Sequence, residues 1–282
     1  LKQALYDEDV QIRLHVVGAV ARLEDMETLS GALNDSDPAV RAAVIRALGQ
    51  IDDPHVFQIL APLVNDEDFG VRRSAVEVLA SSRSPLATEP LATVLSSRDA
   101  QLRLLAVQAL GDSGEPAIVP DLQNAYRDAN DDTRQAILIS LAKLDAPASF
   151  AFLTDALSDA DDQVRVTAVQ LLDRFFPDQA QPFLLRAATD KAASVREVAM
   201  RALAFSSSDA AFQALSDGRW DKDYRVSTIA VEGLSNFGER ALPSLQEALD
   251  DRRLSDQAAI PALELIGQPA LPLLLDALEY GR

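Results

Sequence analysis

Three patterns in this sequence have residue types and spacings that chemistry uses. Asp128-x-Asn130-x-Asp132 matches the opening of a calcium-binding loop, where alternate oxygen side chains converge on one ion. That chemistry also needs a glycine at the sixth position and a bidentate glutamate at the twelfth. Those positions hold Thr133 and Ile139, so the stretch is read as a turn that caps a helix. The two histidines, His15 and His55, lack clustered acidic partners, and cysteine is absent, so no metal-ligand set and no disulfide is expected. Paired carboxylates occur throughout, but their spacing follows a period rather than a substrate. No Gly-rich phosphate loop and no Ser/His/Asp set is found, so no catalytic residue and no cofactor is expected.

The third pattern is a column of arginines: Arg13, Arg41, Arg72, Arg103, Arg134, Arg165 and Arg196. A guanidinium in the first turn of a helix sits at the wrong end of the dipole, costing about 0.3–1 kcal/mol when isolated. It also lies near an apolar stripe, where an unpaired charge is expensive. The turn aspartates Asp7, Asp35, Asp66, Asp128, Asp159 and Asp190 are its natural partners. A structural ladder of Arg–Asp hydrogen bonds is therefore expected.

The elements that position these groups repeat every 31 residues. Val40–Arg41 returns as Val71–Arg72, Leu102–Arg103, Thr133–Arg134, Val164–Arg165 and Val195–Arg196, ending at Val226–Ser227. Leu48 returns as Leu79, Leu110, Leu141, Leu172, Leu203, Leu234 and Leu265, and Leu29 as Leu60, Leu91, Leu122, Leu153, Leu184 and Leu215. Type held at several columns at once signals a repeat array. Each unit reads as two helices. Asp37 suits an N-cap and Pro38 the first helical position of the second helix, whose Val40, Val44, Ile45 and Leu48 form one buried stripe. Pro54, Pro85, Pro116 and Pro147 announce the shorter first helix. Asn130 can replace a capping aspartate. Ala192 cannot, so that helix is expected to start at a neighbour such as Asp190 or Ser194. Repeat eight replaces the arginine with Ser227. The ninth unit is degenerate, with Leu254, Gln257 and Ala258 in place of the motif and Pro261 inside its second helix.

Paired helices with Asp in the turn and Val-Arg opening the second helix resemble HEAT repeats, and the short period is most similar to the class named after phycobilisome lyases. The resemblance covers about residues 1–282. It implies an all-α, alpha-alpha superhelix: a right-handed HEAT-like solenoid of about nine hairpins. One domain, 1–282, is expected, with a degenerate last repeat and terminal helix at about 240–282. That class includes scaffolds, adaptors, chaperone-like factors and bilin lyase subunits, and its second helices commonly line the concave side.

The balance is acidic, with 44 Asp and Glu against 26 Lys and Arg and a net charge of −18. This opposes nucleic-acid binding, which needs a basic footprint, and attachment to an anionic membrane. No apolar run approaches a transmembrane helix. A cytoplasmic location is expected. The chain opens on Leu1, on a helix already in register, which suggests an incomplete N-terminus and is compatible with one part of a larger chain.

Function is expected on a face. Opposite the buried stripe, Arg46, Glu77, Gln108, Ile139, Gln170, Arg201 and Glu232 form an outer ridge. Leu104, Leu105, Ile139 and Val166 interrupt its polarity, and clustered exposed apolar residues mark binding surfaces. Aromatics concentrate from Phe175 to Phe237; the phenylalanines are read as core filling, whereas Trp220 and Tyr224 lie in the turn where the template breaks, beside Arg219 and Arg225. The candidate partner-binding residues are Leu104, Leu105, Gln108, Ile139, Val166, Gln170, Arg201, Trp220 and Tyr224. The expected function is a non-enzymatic scaffold or adaptor that binds another protein or peptide. The alternative is a bilin lyase subunit or chaperone-like factor.

Overall fold

A computed structural model describes residues 1–82, 84–144, 147–251 and 258–279, and every regular element among them is helical. The chain forms two compact units, 1–149 and 150–282.

In the first unit the second helices are Val10–Ala21, Pro38–Leu48, Phe69–Ser82, Ala100–Asp112 and Asp131–Lys143, each packed on the next. Their starts follow from local chemistry. Asp37 accepts from the Ala39 amide at 2.8 Å and Pro38 opens the helix; Asn130 accepts from Thr133 at 3.0 Å. These bonds satisfy amides that have no partner inside the helix. The first helices are shorter than a uniform hairpin would suggest. Met26–Gly31 gives way to a 3-10 turn at Ala32–Asn34, and Thr88–Val94 is preceded by one at Pro85–Ala87. The proline column sits where no amide donor is needed.

The leucine columns make the core. Leu29, Leu60, Leu91 and Leu122 are buried in first helices, and Leu48, Leu79, Leu110 and Leu141 in second helices. Full burial of each stabilises the fold by about 1.5–3 kcal/mol. One junction is unusually close. A Cβ on Gly111 would lie 2.3 Å from Ser140 Oγ and 2.7 Å from Ser140 Cα. The absent side chain lets Ser140 Oγ reach across and donate to the Val107 carbonyl at 2.9 Å.

In the second unit, Asp162–Phe175, Ala193–Leu203 and Tyr224–Leu234 are the second helices, and Pro177–Ala187, Asp209–Gly218 and Leu242–Leu249 the first. The expected shift of a helix start around Ala192 does not occur. The helix begins at Ala193 with Ala192 as an uncapped N-cap, because Asp190 accepts the Ala192 amide at 2.8 Å and holds the turn in register. Phe150 packs on Phe176 and Phe183, with ring centroids 5.2 and 5.6 Å away, and Phe212 packs on Phe237. Phe175 and Phe205 depart from the core-filling expectation: Phe175 is exposed at the last position of its helix, and Phe205 is 85% exposed just past the end of its own.

The ninth unit also differs. Leu265, the last member of a column whose other members are fully buried, is 77% exposed. Its helix, Ile260–Ile266, places Ala262 and Leu263 inward instead. Pro261 falls in the first turn, where a missing amide is harmless, rather than in the interior. Gly267, at φ +78°, ends the helix in a conformation that favours glycine. Leu254 and Gln257 lie outside the described residues. The terminal helix is Leu271–Glu279.

Candidate protein-interaction surface

The arginine column forms bidentate pairs with the turn that follows it. Arg41 donates from Nε and Nη2 to Asp66 at 3.1 and 2.8 Å, and from Nη1 to the Asp35 carbonyl at 2.9 Å. Arg13 treats Asp35 and the Asp7 carbonyl in the same way. In the second unit Arg165 binds Asp190, and Arg196 binds Asp221, with all four side-chain bonds between 2.7 and 2.9 Å. Each aspartate therefore ties one repeat to the next: its carboxylate accepts the preceding arginine and the amide two residues ahead, and the carbonyls of Asp35, Asp66 and Asp190 also accept the arginine of their own repeat. Burial pushes the carboxyls of Asp66, Asp190 and Asp221 up. The hydrogen bonds and charges of Arg41, Arg165 and Arg196 outweigh burial and hold all three below the ordinary carboxylate range.

Two rungs differ. Arg72 uses Nη1 on the Asp66 and Glu67 carbonyls, and the residue in the next carboxylate position is Ser97. Arg103 donates from Nη1 to the Ser97 carbonyl at 2.6 Å, while its buried Nε has no acceptor among the described residues. Asp128, proposed from spacing as an acceptor, stands exposed and does not meet Arg103. Ser227, in the arginine position of repeat eight, is buried and donates to the Tyr224 carbonyl.

All seven residues of the outer ridge are exposed. In the first unit Arg46 donates to Ser74 Oγ at 3.1 Å, and Arg73 pairs with Glu77 at 2.7 Å. Gln108 makes no side-chain hydrogen bond among the described residues, and Ile139 is 42% exposed. Leu104 and Leu105, one turn before Gln108, are half-buried rather than open, as is Val166 in the second unit. Each spends part of its surface on the interface between neighbouring helices. Gln170 is exposed one turn after Val166, and Arg201 is exposed and reaches Glu197 at 3.4 Å.

At the turn before Tyr224–Leu234, Trp220 is 55% exposed with the Arg219 guanidinium 5.0 Å from its ring centre, a cation–π contact. Arg219 also binds Glu247. Tyr224 is exposed at the first position of the helix, and Arg225 pairs with Asp223. The spacing argument missed Asp221, although one 31-residue step from Asp190 reaches it, and it missed Phe205. His55 is exposed and bonds Asp53 at 2.7 Å. Among the described residues no three His, Cys, Asp or Glu side chains are grouped to hold a metal, and no helix is long and apolar enough to cross a membrane.

Comparison with known proteins follows the same repeats. A family model described as HEAT repeats matches residues 1–80, 88–166 and 151–235, and one described as a PBS lyase HEAT-like repeat matches 228–251. None of the curated proteins matches the sequence. Among solved structures, YIBA_ECOLI is 16% identical with a TM-score of 0.53, over 93% of this chain and 99% of that one. The karyopherin Kap121p, bound to the extreme C-terminus of the protein phosphatase Cdc14p, is 15% identical with a TM-score of 0.63, over 99% of this chain and 38% of Kap121p. The CpcE–CpcF complex of phycocyanin lyase from Nostoc sp. PCC7120 is 19% identical with a TM-score of 0.45, over 86% and 93% of the two chains, too low to carry an argument. Repeated Asp-capped hairpins, the Arg–Asp rungs and the family match over most of the sequence agree: the chain belongs to the HEAT-repeat family.

Proposed function

We propose that this chain is a non-enzymatic scaffold or adaptor that binds a protein or peptide along the exposed ridge of its second helices. The observation that carries the reading is Ile139. It is an open branched aliphatic residue in a column that is otherwise polar, on a helix whose other large apolar side chains are buried. Gln108, exposed and with no side-chain hydrogen bond among the described residues, and the half-exposed edges of Leu104 and Leu105 extend the surface in the same unit. Val166, Gln170 and Arg201, and separately Trp220 and Tyr224, offer further contacts in the second unit. Aromatic and arginine anchors are the residue types that dominate protein interfaces. The similarity to a karyopherin fold that holds a peptide supports this use of stacked hairpins.

The test is affinity purification from source cells with mass spectrometry, comparing wild type, Ile139→Asp and Trp220→Ala. A partner retained by wild type and lost from either variant is expected, with helical circular dichroism unchanged. Ile139 is the better site than Leu104, whose half-burial would mix a folding effect into the result. Identical partner sets on all three chains would reject the ridge and the turn together. The lyase alternative predicts covalent fluorescence when a bilin and an acceptor protein are added, and the scaffold reading predicts none.

A further inference from the structure

We propose that the turns around Ser97 and Asp128 form an oxyanion site, in which Arg72 and Arg103 receive a carboxylate or phosphate group from outside the chain. This inference does not depend on the ridge. It starts from what the aspartates do in the four complete rungs. There, Asp35, Asp66 and Asp190 each bond the fork of the preceding arginine, the amide two residues ahead and, through the carbonyl, the arginine of their own repeat, while Asp221, whose repeat carries Ser227, bonds the first two. Ser97 keeps two of these duties. Its Oγ accepts the Asp99 amide at 3.2 Å and its carbonyl accepts Arg103 at 2.6 Å. The third duty, matching the fork of Arg72, needs a carboxylate that serine lacks.

The next rung is also open, since Arg103 has a buried Nε without an acceptor among the described residues and Asp128 stays in solvent. Two consecutive guanidinium groups are thus left with donors that a bidentate oxyanion fits. The local charge changes in the same place. The turns Asn34-Asp35-Ser36-Asp37 and Asn65-Asp66-Glu67-Asp68 are acidic, whereas Ser96-Ser97-Arg98-Asp99 and Arg127-Asp128-Ala129-Asn130 are each neutral and bring an exposed arginine. In a chain of net charge −18, two neutral turns repel an approaching anion less than the acidic turns before them.

The test follows thermal unfolding of the whole chain at fixed ionic strength, replacing chloride stepwise with inorganic phosphate and, in parallel, with acetate. A saturable rise in the wild-type Tm is expected with at least one anion. Ser97→Asp supplies the carboxylate within the chain, so it unfolds at higher temperature than wild type in chloride and loses the saturable response. Phosphate's general stabilising effect on proteins persists in both chains and is subtracted by the comparison. Arg103→Gln is expected to lose the response as well. A response to phosphate alone assigns the site to phosphoryl groups, and a response to acetate alone assigns it to carboxylates. No saturable response in wild type, or the same response in Ser97→Asp, overturns the proposal.

Discussion

A guanidinium in a helix interface is stable there only when its fork and its charge are matched, and the seven arginines of this chain sample both conditions. Arg165 is buried, with Nε and Nη2 on Asp190 and Nη1 on two carbonyls. Removing one partner of such a pair leaves an uncompensated charge, so Arg165→Gln is expected to cost about 3 kcal/mol. Arg103→Gln loses one carbonyl bond and is expected to cost about 1 kcal/mol. Urea unfolding of the two variants checks the order, and equal losses would mean the rung adds nothing beyond its carbonyl contacts. The same pairs set an acid limit. Asp66, Asp190 and Asp221 have folded pKa values below their unfolded ones, so their contribution is complete above the unfolded carboxylate range, about 3.9. It is lost as pH falls through the lower folded values. Tm is therefore expected to drop below about pH 4, and less steeply in Asp190→Asn. The need for carboxylates beside the arginines was legible from residue type and dipole sense alone. Which rungs are complete was legible only in part: Ser97 in place of a carboxylate stands in the sequence, but that Asp128 points into solvent does not.

At the scale of elements, the 31-residue step locates nearly every helix, because caps, prolines and leucine stripes all report the same boundaries. It fails where one residue re-registers a helix. Leu265 keeps its column and loses its burial, since Pro261 and Gly267 confine the helix to Ile260–Ile266 and turn Leu263 inward. Half-burial of Leu104 escaped the pattern for a related reason: a helical wheel gives one helix's outer face but not how closely the next helix approaches it. Gly111 illustrates that closeness. A methyl there meets Ser140 Cα at 2.7 Å, whereas one at Gly18, also inside a helix, meets nothing within 4 Å. Gly→Ala inside a helix gains about 0.5–1 kcal/mol when space allows, and overpacking costs about 1–3 kcal/mol. Gly18→Ala should thus raise the midpoint of chemical unfolding and Gly111→Ala should lower it. A stabilised Gly111→Ala would show that Ser140 can be displaced without loss.

For the molecule as a whole, the deciding quantity is the excess of acidic groups, 44 against 26. Four of the 26 cations, Arg13, Arg41, Arg165 and Arg196, are buried in rungs with their carboxylates, so those pairs are neutral together and leave the whole excess of −18 unchanged on the rest of the chain. Two opposing effects of salt follow. Screening weakens exposed pairs such as Arg73–Glu77 and Lys143–Asp112, each worth about 0–1 kcal/mol. It also weakens repulsion among the unpaired carboxylates, which disfavours any compact state. Buried rungs respond little, because solvent ions do not reach them. Unpaired acids outnumber exposed pairs, so repulsion dominates, and Tm is expected to rise as sodium chloride increases from low ionic strength to about 0.15 M, where the Debye length is near 8 Å. The rise should then flatten, since neighbouring carboxylates at that spacing are already screened. Differential scanning calorimetry over this range decides the balance. A Tm that falls with salt would mean that the exposed ion pairs, and not the net charge, control how these repeats hold together.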